Sequence, residues 1–245
     1  MSKLHLDFLE VGTSDFNTHM ETCSPYEKGM IIEPLKIYLN NLPDKDNVIK
    51  VNAALLFGEH KTVPIYYIKP EVIEKHGLFN WMRGCNSVGA PHDLHLNYFN
   101  TTKEFDVWHS YWKSPDAPKG RNLLDEGLVS VDEVPCVTFS SLISDYEIGS
   151  IKYVKFDTEG MDADLIHSML DDLWAINKVR LPETIQFETN VHNDTDKSFD
   201  VIQRLKDIGY TVYVGEANSN QWEPFIGTIY RDCKATIKPK WKNEH

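Results

Sequence analysis

A chain of 245 residues with 41% hydrophobic and 25% charged side chains can bury a sizeable core and is ordinary for one globular domain. Its 37 acidic against 25 basic side chains leave a formal charge of −12, which argues against duplex nucleic acid, since that partner rewards clustered Lys and Arg. No stretch approaches the ~20 apolar residues that span a bilayer, and Asp7 and Glu10 interrupt the first apolar run where a secretory signal would be continuous, so a cytoplasmic protein without membrane contact is expected.

In chain order, His5 to Val11 reads as a short buried strand stopped by Gly12 and the polar turn Thr13-Ser14-Asp15. A second strand, Met30-Ile31-Ile32, ends at Glu33-Pro34, and helical spacing follows in Leu35, Tyr38, Leu39 and Leu42. Val48 to Leu56 is predicted as a third strand and Thr62 to Ile68 as a further one. From about Lys69 to Gly127 the periodicity weakens and aromatic residues gather, among them Phe79, Trp81, Tyr98, Phe99, Phe105, Trp108, Tyr111 and Trp112. The alternation then resumes: Val134 to Phe139 leads into a short helix, and Ile151 to Phe156 is a strand ending in Asp157-Thr158-Glu159-Gly160. A helix from Asp162 to about Leu173 follows, then a strand from Thr184 to Phe187 ending in Glu188-Thr189-Asn190. A helix from Ser198 to Ile208 and strands at Tyr210 to Val214 and Phe225 to Tyr230 complete the set. Strands alternating with helices predict one α/β domain over residues 1–245, with a mostly parallel sheet, helices on both faces and an aromatic-rich insert at about 69–127. Four dispersed cysteines without a CxxC pair predict reduced thiols instead of a zinc site.

Ligands of open parallel sheets bind beyond the carboxyl ends of the strands. The residues there are Glu10, Glu33, Asn52, Asp157 and Glu159, then Glu188 and Asn190. So many acidic tips suit ribose hydroxyls and an ammonium group and repel a pyrophosphate. The turn Gly12-Thr13-Ser14-Asp15-Phe16 has one glycine where a dinucleotide site needs GxGxxG, so NAD is disfavoured. S-adenosylmethionine carries no phosphate and has a positive sulfonium and ammonium, and the acidic turn suits it. Glu33, about 20 residues past that turn, stands where acidic side chains bind ribose.

The run Glu10-Val11-Gly12-Thr13-Ser14-Asp15, the Glu33-Pro34 pair, Val51-Asn52-Ala53-Ala54-Leu55 and Lys155-Phe156-Asp157-Thr158-Glu159-Gly160 stand in the order and spacing of the FkbM-type methyltransferases, which this sequence resembles. The resemblance implies a Rossmann-like methyltransferase fold and an S-adenosylmethionine-dependent O-methyltransferase acting on a small molecule, sugar or glycan. It implies that Glu10, Gly12, Thr13, Ser14 and Asp15 line the methionine end of the cofactor, that Glu33 binds the ribose and that Asn52 and Ala53 flank the adenine. Phe16 replaces a second family glycine, and the insert is expected to cover the active site.

Asp157 is the candidate general base. The set Asp157, Glu188 and Asn190 is similar to the metal ligands of catechol-type O-methyltransferases, which suits Mg²⁺ or Mn²⁺. Lys155 is expected to pair with Glu159 or to orient the acidic cluster. His92, with His95, is a second candidate base, though a loop histidine beside a proline is ordinarily solvent-exposed. Methylation of nitrogen or of a macromolecule, and a catalytically silent binding module, are the competing readings.

Overall fold

The first strand, β1 (Leu4–Val11), is buried on both faces from Phe8 onward because it lies in the middle of a sheet covered on both sides. The computed structural model describes residues 3–15, 18–58, 60–98, 120–176, 180–189, 195–215, 221–227 and 232–237. It divides into two compact units, residues 1–59 with 137–245, and residues 60–136.

In the larger unit, β1 is followed by β2 (Gly29–Ile32) and β3 (Val48–Val51), with the short helices α1 (His19–Thr22) and α2 (Lys36–Leu39) between them. After the smaller unit come β8 (Ile148–Phe156) and β9 (Thr184–Glu188), then β10 (Thr211–Gly215), β11 (Trp222–Pro224) and β12 (Asp232–Thr236). Among the described residues these strands form one sheet in the order β11-β10-β12-β9-β8-β1-β2-β3. The run β3-β2-β1-β8-β9 is parallel throughout, and β12 enters antiparallel between β9 and β10.

One face packs on the helices α5 (Phe139–Asp145), α6 (Asp162–Ile176) and α7 (Thr195–Ile208). Leu9, Val11, Met30, Ile32, Val154 and Phe156 from the strands meet Leu142, Ile166, Met169 and Leu205 from the helices. The neighbouring strand residues Phe8 and Ile31 point the other way, onto Met20 of α1 and Leu39 of α2. Helices on both faces of a mostly parallel sheet make this the Rossmann-like α/β fold that the alternation of elements predicts.

Sheet order reverses between β1 and β8: the chain winds outward through β2 and β3, then returns to the other side of β1. Such a switch point opens a crevice at the strands' carboxyl ends. Val11 lies opposite Phe156, so both strands end level and both turns start at the same height. The Asp157 amide donates to the Val11 carbonyl at 3.0 Å, and the Gly12 amide to the Ile32 carbonyl at 3.0 Å. Gly12 has a φ of +76°, and a Cβ there would run into the carbonyl oxygen of Asp157. Only glycine lets the two turns approach this closely.

The third strand is shorter than its apolar run. It stops at Val51 because the Asn52 side-chain amide turns toward the carbonyls of Glu33 (3.0 Å) and Pro34 (2.8 Å); β4 (Ala54–Leu55) is separate. In the smaller unit β5 (Thr62–Tyr67) lies antiparallel between β6 (Ser87–Val88) and β7 (Ser130–Val137), outside the parallel sheet. Alternation of side chains reveals a strand but not its partner. The helix α3 (Pro70–His76) opens on its proline and closes on Gly77, at φ 60°. Ile68, Ile73, Leu78, Met82, Cys85, Leu94, Tyr98 and Leu123 form this unit's own core.

Tyr98 is therefore a core residue, whereas Trp81, stacked on Phe79, is 38% exposed. Phe99, Phe105, Trp108, Tyr111 and Trp112 lie outside the described residues. The four cysteines are unpaired, and no described helix is long and apolar enough to cross a membrane.

Gly12→Ala combines an unfavourable left-handed φ with a backbone clash and is expected to cost at least about 2 kcal/mol, read as a lowered midpoint in thermal or urea unfolding. Wild-type stability in that variant would show that the two turns can separate without loss.

Candidate functional site

Five carboxylates stand at the carboxyl ends of the central strands. Glu10 is wholly buried at the tip of β1. Its Oε2 accepts the His19 amide at 2.9 Å, and its Oε1 lies 3.4 Å from Lys155 Nζ. The same ammonium is 3.0 Å from Asp157 Oδ2. Lys155 thus bridges the tips of β1 and β8, pairing with Glu10 and Asp157. Burial raises the Glu10 carboxyl above its ordinary value, opposed chiefly by Lys155. Burial would lower Lys155, but Asp157 and Glu10 outweigh it and keep the ammonium charged.

Glu33, just past β2, is 2% exposed. Its Oε2 accepts the Ser14 amide at 2.7 Å and its Oε1 the Leu35 amide at 2.8 Å. Burial pushes this carboxyl up to about 7, against those two hydrogen bonds. Ser14 takes a left-handed φ of 46°, which turns its amide onto Glu33. In a turn whose amides would meet a phosphate in a dinucleotide site, the Ser14 amide is thereby committed to a protein carboxylate and the Gly12 amide to the Ile32 carbonyl. Thr13, Ser14 and Ala53 are buried, and Asp15 Oδ2 accepts the Asn41 side-chain amide at 3.0 Å.

The third group is Asp157, Glu159 and Glu188, whose carboxylate oxygens come within 4.8 Å of one another. Glu159 sits at φ 51° and Gly160 at φ 113°, so the chain folds back after β8 and brings Glu159 beside Asp157. Burial, reinforced by Asp157 and Glu159, pushes Glu188 up to about 10. Three carboxylates this close cannot all ionise cheaply, and a proton or a cation relieves them. The structure thus joins Asp157 and Glu188 of the expected metal set; Asn190 lies outside the described residues. Glu159 was not expected in that set, because it lies in the turn beyond β8, where the left-handed backbone and not the strand's alternation decides the side chain's direction.

With this geometry in view, the comparisons decide the family. The Methyltransferase FkbM domain matches residues 10–212, from Glu10 to the start of β10.

The chain belongs to the FkbM methyltransferase family.

It is an S-adenosylmethionine-dependent methyltransferase. A solved structure, the precorrin-6y C5,15-methyltransferase from Geobacter metallireducens GS-15, aligns with 95% of this chain and 82% of its own at 12% identity, with a TM-score of 0.35. A comparison with curated proteins finds no match. The donor chemistry at the β1–β8 crevice is compatible with S-adenosylmethionine: acidic strand tips suit a cationic, phosphate-free nucleoside, and the Gly12 and Ser14 amides are already paired.

The two candidate bases of this FkbM chain, His92 and His95, lie in the smaller unit and are buried. His92 is 4% and His95 0% exposed. His92 caps the helix α4 (Asp93–Leu96): its Nδ1 accepts the Leu94 amide at 3.0 Å, and its own amide donates to His95 Nδ1 at 3.2 Å. Two rings engaged with each other and with the backbone replace the exposed loop pair expected beside a proline.

Burial, and then the neighbouring His92, push His95 down to about 3 from 6.5. The folded chain keeps this ring neutral while the unfolded chain takes up a proton, so stability is complete above pH 6.5 and lost as pH falls toward 3. The expected loss is about 1.4 kcal/mol per pH unit, seen as a steeper fall of the unfolding midpoint between pH 6.5 and 5 in wild type than in His95→Leu. Identical slopes would place the acid sensitivity elsewhere.

Proposed function

We propose that the protein transfers a methyl group to a hydroxyl of a small molecule, sugar or glycan, with Asp157 as the group that takes the hydroxyl proton. The observation that carries this reading is a gradient of exposure. Glu10 and Glu33 are buried and bonded to backbone amides, whereas the Asp157 side chain, beside them at the switch point, is 31% exposed and free to meet a second substrate.

S-adenosylmethionine supplies a methyl group on a positively charged sulfur. In-line displacement asks the protein for alignment and for removal of one proton. Glu33 would hold the ribose hydroxyls, its buried carboxylate already fixed in place by the Ser14 and Leu35 amides and by Thr13. Asn52 and Ala53 would flank the adenine. Glu10, Gly12 and the turn Thr13-Ser14-Asp15 would line the methionine end. Asp157 takes the acceptor's hydroxyl proton as that oxygen bonds to the methyl carbon and the carbon–sulfur bond breaks. Lys155, bonded to Asp157 Oδ2, fixes the carboxylate's orientation.

Asp157 and Glu188, joined by Glu159, would also hold a divalent cation. An all-oxygen, acidic donor set suits Mg²⁺ or Mn²⁺, which lowers the pKa of a bound hydroxyl. Asn190 belongs to the same proposal. A cytoplasmic setting agrees with reduced thiols at Cys23, Cys85, Cys136 and Cys233.

Calorimetric titration is expected to show S-adenosylmethionine binding, weakened about tenfold or more in Glu33→Ala, which corresponds to about 1.4 kcal/mol. In Asp157→Asn, methyl transfer from labelled cofactor into a panel of sugars and extracts, read by mass spectrometry, is expected to fall about 100-fold or more while cofactor affinity holds. Full turnover in Asp157→Asn removes the general-base role, and absence of any cofactor heat removes the site.

Chelation provides the test of the cation. Methyl transfer should cease with EDTA and return with Mg²⁺ or Mn²⁺, and Glu188→Gln should raise the Mn²⁺ requirement by about tenfold. Activity that survives chelation leaves proton transfer to Asp157 alone.

A further inference from the structure

We propose that Asp162 is a positioning residue that sets the spacing between the Asp157 turn and Glu188, and so the geometry of the acceptor site; this rests on the reading of Asp157 and Glu188 given above. Asp162 is 1% exposed, at the first position of α6. Its Oδ1 accepts the Thr158 amide at 2.9 Å and also the Thr158 hydroxyl. Its Oδ2 accepts the Glu188 amide at 2.9 Å. One carboxylate therefore binds the turn after β8 and the tip of β9 together.

The bridge matters because the backbone ladder has already ended there. The pairing of β8 with β9 runs from Tyr153 opposite Thr184 to Lys155 opposite Gln186 and goes no further. Phe156 is held by β1 on its other side, opposite Val11. Beyond Lys155 and Gln186, the Asp162 carboxylate ties the two tips. Its own placement is firm: Leu165, Ile166 and Met169, on the next turns of α6, are buried against the sheet. Helix α6 thus acts as a ruler, and a carboxylate on its first turn transmits the helix's position to both reactive tips. Misplacing a catalytic group by about 1 Å can cost about 100-fold in rate.

The test uses the full chain with Asp162→Asn, Asp162→Glu and Thr158→Val. Asparagine keeps one acceptor and turns an NH₂ toward a backbone N–H; glutamate keeps both acceptors. In Asp162→Asn, kcat for the acceptor found with wild type is expected to fall about tenfold or more, with calorimetric affinity for S-adenosylmethionine within about threefold. Mn²⁺ alone, titrated by electron paramagnetic resonance, should bind about tenfold more weakly, and the Thr158 and Glu188 amides should lose hydrogen-exchange protection. Asp162→Glu should recover part of kcat, a pattern that a merely stabilising residue does not produce. Should Asp162→Asn fail to fold, Thr158→Val decides: a severalfold fall in kcat with unchanged cofactor affinity supports the proposal, and wild-type kcat overturns it. A folded Asp162→Asn with wild-type kcat also overturns it. If Asp157→Asn is inactive while Asp162→Asn is fully active, the positioning role alone falls; if both are fully active, the acceptor-site reading falls with it.

Discussion

The ammonium of Lys155, held between Glu10 and Asp157, joins the two strands on which the rest of the site depends. Glu10 is wholly buried, and an isolated carboxylate there would shed its charge. Two partners keep it satisfied: Lys155 and the His19 amide. The pair is therefore less a reservoir of stability than a constraint. Removing one member of such a buried pair leaves an uncompensated charge that costs about 3–5 kcal/mol. Gly12 adds the steric half of the constraint by letting the turn after β1 lie against Asp157.

From that joint the acidic residues divide by exposure and by partner. Glu10, Glu33 and Asp162 are buried, and each accepts backbone amides from a loop it holds in shape: His19 for Glu10, Ser14 and Leu35 for Glu33, Thr158 and Glu188 for Asp162. Asp157, Glu159 and Glu188 are partly exposed and crowd one another. The inner set holds the loops around the crevice, and the outer set is the more open to solvent. This explains why one cleft concentrates so much negative charge without phosphate-binding loops. Such a concentration of negative charge favours a cation over a polyanion.

Much of the site was legible because its chemistry lies in short runs next to strand ends. Glu10-Val11-Gly12, Glu33-Pro34 and Lys155-Phe156-Asp157 each follow an apolar run, and parallel strands bring their carboxyl ends to one edge. Other features depend on contacts between residues far apart in the chain. Asp162 reads as an ordinary acidic residue in a helix's first turn, and its link to Glu188 crosses 26 positions. His92 and His95 read as an exposed pair and are buried caps, since burial is a property of what packs around a loop.

The sequence by itself determined the alternation of strands and helices, the absence of a dinucleotide loop and the family, because local periodicity and short motifs carry that information. Tertiary structure alone decided the strand order that places β8 beside β1, the assignment of β5 to a separate antiparallel sheet, and the meeting of Glu159 with Asp157 and Glu188. The physical reason is that strand pairing, burial and the reversal at Glu159 are settled by long-range packing, to which no single stretch of residues holds the key.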